Sequence, residues 1–170
     1  ITFAGNGEPT LHPEFPALID AGISLRDHLA PCAKVVVLTN ATELGRREIR
    51  EALLRVEEPC MKLDAVSTQV VSRINKPHAS VEMARIIEWI ADFPSPIIQS
   101  MFVQGPADNT GEKEVTLWLD ALKQIRPARV DIYSLDRTPP DRRLTRVSSE
   151  ELEEIASRAR EVLNVPVGVY

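Results

Sequence analysis

Transition-metal ligands are scarce in this sequence. Its 170 residues include two cysteines and three histidines, and these are scattered as Cys32, Cys60, His12, His28 and His78. Neither cysteine sits in a CxxC pair or in another ligand spacing. The sequence therefore predicts no metal site of its own, and both thiols read as isolated and reduced, as in a cytoplasmic protein. Long apolar runs are missing as well. None approaches the roughly 18 residues that cross a bilayer, and nothing has the layout of a signal peptide, so no membrane partner is expected. Positive charge is in deficit: 20 Lys and Arg against 25 Asp and Glu give a formal charge of −5. That balance excludes a broad electrostatic footprint for nucleic acid. It leaves open a local basic patch at Arg137, Arg142, Arg143 and Arg146, although such a run is more often a solvated loop. Linkers and low-complexity tracts are absent, so residues 1–170 read as one domain, or most of one. There is no initiator methionine either. The chain opens inside what reads as a strand and is expected to be a piece of something longer.

What the sequence does contain is regular alternation. Short β-branched runs occur at Ile1–Phe3, Val35–Thr39, Met61–Ala65, Ile97–Val103, Val130–Leu135 and Val165–Tyr170. Between them lie helical patterns with apolar residues at 3-4 spacing. Ser80–Phe93 places Met83, Ile86, Ile87 and Ile90 on one face. Glu112–Ile125 does the same with Val115, Trp118, Leu119 and Leu122. Glu150–Leu163 turns Leu152, Ile155, Ala156, Ala159 and Val162 inward and is preceded by a capping box, Ser148 with Glu151. Weaker helices are expected at Pro16–Leu29 and Arg46–Val56.

Such alternation predicts an α/β fold with a parallel sheet, either an open doubly wound sheet or a (β/α) barrel. Strand faces separate the two. Strands of a doubly wound sheet are apolar on both faces, yet here Lys62 shares a face with Asp64, Asp131 shares one with Tyr133, and Gln99 interrupts an apolar run. One polar face lining a lumen predicts a parallel (β/α) partial TIM-like barrel. The plainer alternative is that Lys62 and Asp131 sit at strand ends and reach water.

Ligands of parallel βα units bind at the carboxyl ends of the strands. Those ends carry Gly5-Asn6-Gly7-Glu8-Pro9-Thr10, Thr39-Asn40, Asp64, Gln104-Gly105 with Asp108-Asn109, and Asp136-Arg137. Dinucleotide binding does not fit. The third glycine of GxGxxG is Thr10, the turn holds Pro9, Pro13 and Pro16, and the next strand ends in Thr39-Asn40 instead of an acid. A phosphate-loop lysine is absent too.

The stretch ITFAGNGEPTLHPEF resembles the second strand and following loop of radical S-adenosylmethionine (SAM) enzymes. Their GGEP motif falls on Asn6-Gly7-Glu8-Pro9, with Asn6 in place of the first glycine. VVVLTNAT is similar to the family's TNG segment, with Ala41 replacing the glycine. MKLDA resembles the fourth-strand SLDG, and IQSMFVQGPADNTGEKEVTLWLDAL and VDIYSLDRTPP resemble the fifth and sixth strands with their loops. The resemblance runs through nearly the whole chain in order. It implies a partial barrel that begins at the second strand of a radical SAM core, with the first strand and the CxxxCxxC loop expected upstream. SAM and a [4Fe–4S] cluster are the implied cofactors, the cluster ligands lying outside this chain, because Cys32 and Cys60 cannot supply three thiolates on one loop. Implied SAM contacts are Gly5, Asn6, Gly7, Glu8, Pro9, Thr39, Asn40, Lys62 and Asp64. Glu8 takes the methionine ammonium or else caps locally, Asn40 and Asp64 take the ribose, and Lys62 takes a carboxylate. Asn109 either stabilises a turn or touches ligand, and Tyr133 reads as core with a bonded tip.

The implied activity is that of an iron–sulfur oxidoreductase generating a 5′-deoxyadenosyl radical, with catalytic residues unassigned. Its partners would be an RNA base or a protein as substrate and flavodoxin or ferredoxin as electron donor. Two other classes stay open: a non-redox βα-barrel binding module, and a cofactor-free lyase or isomerase using Lys62 and Asp64 as an acid–base or Schiff-base pair. An exposed apolar sheet edge, with a tendency to associate, is also expected.

Overall fold

Each β-branched run is followed by a helix that carries the chain back to the same end of the sheet, so consecutive strands pair in parallel. The computed structural model describes residues 1–5, 7–75 and 82–170. In chain order the elements are β1 (Thr2–Phe3), a 3-10 turn (Pro9–Leu11), α1 (Phe15–Leu29), β2 (Val36–Thr39), α2 (Arg47–Leu53), β3 (Glu58–Lys62) and α3 (Thr68–Ile74). They continue with α4 (Met83–Ala91), β4 (Ile97–Met101), β5 (Val103–Gln104), α5 (Glu112–Ile125), β6 (Arg129–Tyr133), β7 (Thr145–Arg146), α6 (Ser149–Leu163) and β8 (Val167–Val169). Six strands form one sheet in the order β1-β2-β3-β4-β6-β8, and every pairing in it is parallel. Strands β5 and β7 form a separate antiparallel ribbon. The sheet is open: β1 and β8 are its two edges, which is the partial barrel, with no closure.

Register fixes what each face carries. Met61, Ile98, Val130 and Val167 lie level across four strands. All are buried, in one core with Phe15 and Ile19 of α1, Ile49 of α2, Ile90 of α4, Trp118 of α5 and Ile155 of α6. One position further along, the level residues are Lys62, Gln99, Asp131 and Gly168. Side chains alternate between faces, so this polar row looks away from the helices. The shared face read from the sequence is therefore present.

Several boundaries differ from expectation. Strand β3 begins at Glu58 rather than Met61, and Pro59 stands inside it, level with Val37. A proline near a strand's first residues is tolerated because few ladder bonds are lost there. The run predicted over Ile97–Val103 splits at Phe102 into β4 and β5. Helix α3 was not anticipated, though Ser67 caps it through its side chain at Val70 N and Val70, Val71 and Ile74 have helical spacing. The first residues of the helix expected over Ser80–Phe93, and His78, lie outside the described residues. Only half of the capping box forms. Ser148 Oγ accepts from Glu151 N at 3.1 Å, while the Glu151 carboxylate takes the Gln104 amide at 2.8 and 2.9 Å instead. Among the described residues no helix is long and apolar enough to cross a membrane.

Trp118 locks the helix layer to the sheet. It is 1% exposed, meets Phe102 edge-on at 5.2 Å and donates its indole N–H to Ser100 Oγ at 2.9 Å. That hydroxyl in turn donates to the Leu63 carbonyl at 2.7 Å. Truncation to alanine opens a cavity and strands the serine, so Trp118→Ala is expected to cost about 3–5 kcal/mol, read as a lowered urea midpoint at unchanged slope.

Candidate functional site

The carboxyl ends of the first two strands are joined by one side chain. Glu8 caps the 3-10 turn that follows β1, its Oε1 accepting Thr10 N at 3.1 Å and Thr10 Oγ1 at 2.6 Å. The same oxygen accepts Thr39 Oγ1 from the end of β2 at 2.6 Å, and Oε2 accepts Asn40 N at 2.7 Å. Thr39 is 1% exposed, and its hydroxyl also accepts Ala41 N. Pro9 starts the 3-10 turn, where a missing N–H costs nothing. Asn40 is exposed, with Oδ1 taken by Thr42 N and Thr42 Oγ1. Gly5, Gly7, Glu8, Pro9, Thr39 and Asn40 are thus gathered at one corner, while Asn6 lies outside the described residues.

Among the described residues no contact requires glycine at that corner. A Cβ on Gly7 would meet no atom within 4 Å, and one on Gly5 nothing nearer than 3.7 Å. Gly5 is not among the positive-φ glycines. The result is bare backbone open to close approach by a ligand. Ala41, by contrast, adopts φ +64°, a left-handed conformation that costs a non-glycine residue roughly 1–2 kcal/mol. It is the residue standing where the resembling TNG segment has glycine.

The second group sits one strand over. Lys62 closes β3 and donates to Tyr133 Oη at 2.8 Å, and its ammonium lies 3.4 Å from Asp64 Oδ1. Its nitrogen is 5.3 Å from the Tyr133 ring centre. With the hydroxyl so much nearer, it lies beyond the phenol tip rather than over the ring, and the contact is a hydrogen bond. Asp64 is only 4% exposed, and its oxygens are committed inside the protein. Oδ1 accepts Met101 N and Oδ2 accepts Asn75 Nδ2, each at 2.9 Å. Of this pair, Lys62 faces outward, at 28% side-chain exposure. Burial alone would lower its pKa, but the Asp64 charge and the Tyr133 phenol outweigh burial, so the pKa lies above the ordinary lysine value of 10.5. Asn109 is 2% exposed and fully used by backbone: it accepts Val103 N and donates to Asp64 O and Met101 O. It ties three segments together and does not touch solvent-side ligand.

At the other end of the same face the charges are closed among themselves. Arg129 grips both Asp131 oxygens at 3.0 Å and reaches Glu58 at 3.4 Å, which also takes Lys34 at 2.7 Å. Asp131 is 5% exposed, so the expectation that it reaches water from a strand end is corrected by this arginine. Level with Lys62 and Asp131, on the strand between them, stands half-buried Gln99, with no side-chain hydrogen bond among the described residues.

An iron–sulfur cluster does not fit the side chains present. Among the described residues no group of three or more His, Cys, Asp or Glu could hold a metal. Cys32 is exposed beyond α1 and Cys60 is buried on β3. Burial, then the Glu58 charge, pushes the Cys60 thiol up to about 11, which keeps it protonated and a poor ligand. The SAM donor set fits better: a carboxylate with one lightly used oxygen, bare glycine backbone, and an outward ammonium on adjacent strand ends. Sequence reading missed the lysine–phenol bond and the Asn75 anchor. The first was foreshadowed by Lys62 and Tyr133 sharing a face, and the second had no signal.

Comparison with known proteins agrees with the fold. The chain aligns with a domain of pyruvate-formate lyase-activating enzyme from Bacteroides vulgatus at TM-score 0.71 and 22% identity, covering 100% of this chain and 98% of that one. It aligns with Streptococcus suis SuiB bound to S-adenosylmethionine at TM-score 0.68 and 15% identity, over 96% of this chain and 38% of SuiB. A radical SAM methyltransferase from Sphaerobacter thermophilus aligns at TM-score 0.71 and 15% identity, over 100% and 50%. The resemblance to radical SAM enzymes thus holds in fold as well as in sequence. Among curated proteins, a UPF0026 protein of Synechocystis is 32% identical over 82% of the chain and 51% of its own length. One from Helicobacter pylori J99 is 31% identical over 89% and 48%. The chain spans about half the length of these relatives. No protein-family model matches it.

Two measurements check this geometry. Glu8→Gln places an amide N–H against at least one of four donors, so it is expected to cost about 1–3 kcal/mol in the urea midpoint. Lys62→Met tests the ammonium. Because the folded pKa is raised, the stabilisation by Lys62 is complete below pH 10.5 and is lost as pH rises through the folded value. The stability gap between wild type and Lys62→Met should therefore be constant around neutral pH and close in strong base.

Proposed function

We propose that this chain is the SAM-holding half-barrel of a radical SAM iron–sulfur enzyme. The observation that carries the reading is the Glu8 corner, where the β1 loop and the end of β2 are tied together beside unobstructed Gly5 and Gly7. It lies on a fold that also occurs in a protein solved with SAM. In this reading the backbone of Gly5 and Gly7 and Glu8 Oε2 hold the methionine ammonium, with Asn6 a further candidate contact and Pro9 starting the 3-10 turn. Asn40, beside Thr39, offers its side-chain amide to the ribose, and Lys62 takes the carboxylate of SAM or a substrate anion. Asp64, inward and bonded, acts as a positioning residue for Lys62. SAM, when bound, supplies a carbon–sulfur bond whose reductive cleavage yields a hydrogen-abstracting radical. In this reading the cluster's cysteine ligands come from outside these 170 residues, since the described residues offer no group that could hold it. An RNA base or a protein site as substrate, flavodoxin or ferredoxin as donor, and a cytoplasmic setting complete the proposal.

The lyase or isomerase reading is disfavoured by Lys62 itself. A Schiff-base lysine needs a depressed pKa, whereas this ammonium is stabilised by Asp64 and Tyr133. Borohydride trapping with carbonyl substrates should leave Lys62 unmodified.

The decisive test is anaerobic production of the protein at its natural length, with iron, sulfide and nucleoside measured. About four irons per chain and SAM-dependent release of 5′-deoxyadenosine under reductant are expected. An iron-free protein that releases no nucleoside would overturn the proposal, and an intact Lys62 adduct in the trapping experiment would replace it.

A further inference from the structure

The loop between β6 and α6 carries a cluster that the SAM reading does not use. Arg137, Arg142 and Arg146 line one open depression of about 510 Å³ together with Leu135, Leu144 and one carboxylate, Asp136, so the three guanidiniums outnumber the acid. None of the three forms an ion pair among the described residues, whereas Arg143 of the same loop is held by Asp141 through two bonds of 2.8 and 2.9 Å. The loop is pinned at its neck by one hydroxyl: Ser134 Oγ donates to Phe102 O at 2.8 Å and accepts Val147 N at 2.9 Å. It is also held to the strand-end rim. Arg146 pairs with Val103 in the β5–β7 ribbon, and Gly105, at φ +108°, lies so near Arg143 that a Cβ would come within 2.4 Å of the Arg143 carbonyl. Four arginines and two aspartates give residues 135–147 a positive balance in a chain whose formal charge is −5.

We propose that this arginine shelf binds the phosphate groups of the substrate. Three unpaired guanidiniums around one depression suit a ligand with several spaced negative charges, and guanidinium forks match phosphate oxygens in pairs. A lone carboxylate would satisfy only one of them. The shelf follows the carboxyl end of β6, and in this all-parallel sheet the Glu8 corner also lies at carboxyl strand ends. The word substrate rests on the radical SAM reading, but phosphate binding does not, and it is measured without SAM, cluster or turnover. The phosphate has two chemical sources, a phosphodiester strand or a small phosphorylated molecule.

The test is equilibrium binding of a labelled single-stranded RNA and of pyrophosphate to the natural-length protein, from about 50 to 200 mM salt. The combined R137Q/R142Q/R146Q variant is expected to bind at least about tenfold more weakly, with the RNA salt slope reduced by roughly 0.7 per arginine lost. Arginine-dependent binding of RNA alone assigns the phosphodiester source, and arginine-dependent binding of pyrophosphate assigns the small molecule. If the combined variant misfolds, R142Q alone against R143Q decides. R143Q removes an equal charge from the same loop but not from the depression, and it should bind as wild type. Equal loss in R142Q and R143Q, unchanged binding in the combined variant, or tighter binding of a polyglutamate peptide than of either phosphate ligand would each overturn the proposal.

Discussion

Five crossover helices pack on one face of a parallel sheet, and that single constraint organises the molecule. With α1, α2, α4, α5 and α6 all contributing to one core against Met61, Ile98 and Val130, the opposite face is left without these five helices. A sheet apolar on both faces would leave that surface exposed and adhesive. The sequence instead alternates, and the concave row through Lys62, Gln99 and Asp131 is polar where the helix side is not. The polar row and the gathering of the strands' carboxyl ends at one rim follow from the same one-sided packing of parallel strands.

Charges placed on such a face are partly desolvated and need partners. The two ends solve this differently. Toward the amino end, Lys34, Glu58 and Arg129 form a chain of contacts that also draws in Asp131, which is level with Lys62 but is held by Arg129. At the carboxyl end the partners are arranged asymmetrically: Asp64 is turned inward with a protein donor on each oxygen, while Lys62 keeps its head at the surface with a phenol and a carboxylate behind it. A cation supported from behind and open in front suits an anionic ligand. The raised pKa keeps it charged at neutral pH.

Much of this was legible before any coordinates. Alternation gave the parallel sheet, and the pairing of Lys62 with Asp64 and of Asp131 with Tyr133 on shared faces gave the polar concave surface. What escaped was set by tertiary contacts. Strand β3 was expected from Met61, yet it begins at Glu58 and accommodates Pro59. Glu151 looked like half of a capping box but is drawn away by Gln104, which is remote in sequence. Asn109 had strong turn chemistry in its neighbours, yet its own side chain spans β3 and β4, a role that no local pattern encodes. Glu8 showed the limit most clearly. Capping and ligand binding looked like rival roles for one carboxylate, and its long-range bonds to Thr39 and Asn40 could not be read from the β1 loop.

Those rival roles are reconciled by the two oxygens of Glu8. Oε1 is filled by three donors, two from Thr10 and one from Thr39. Such an oxygen has nothing left to give a ligand, but it fixes the carboxylate plane. Oε2 takes a single backbone donor, and a carboxylate oxygen accommodates about two. The structural bonds therefore aim the free lone pair instead of competing for it. A side chain already immobilised loses little rotamer entropy when a ligand ammonium arrives, and the bare backbone of Gly5 and Gly7 leaves the approach unobstructed. In the proposed reading the cap is the means by which the binding oxygen is preorganised, so a substitution that spared Oε2 but loosened Oε1 would weaken ligand binding without removing any ligand contact.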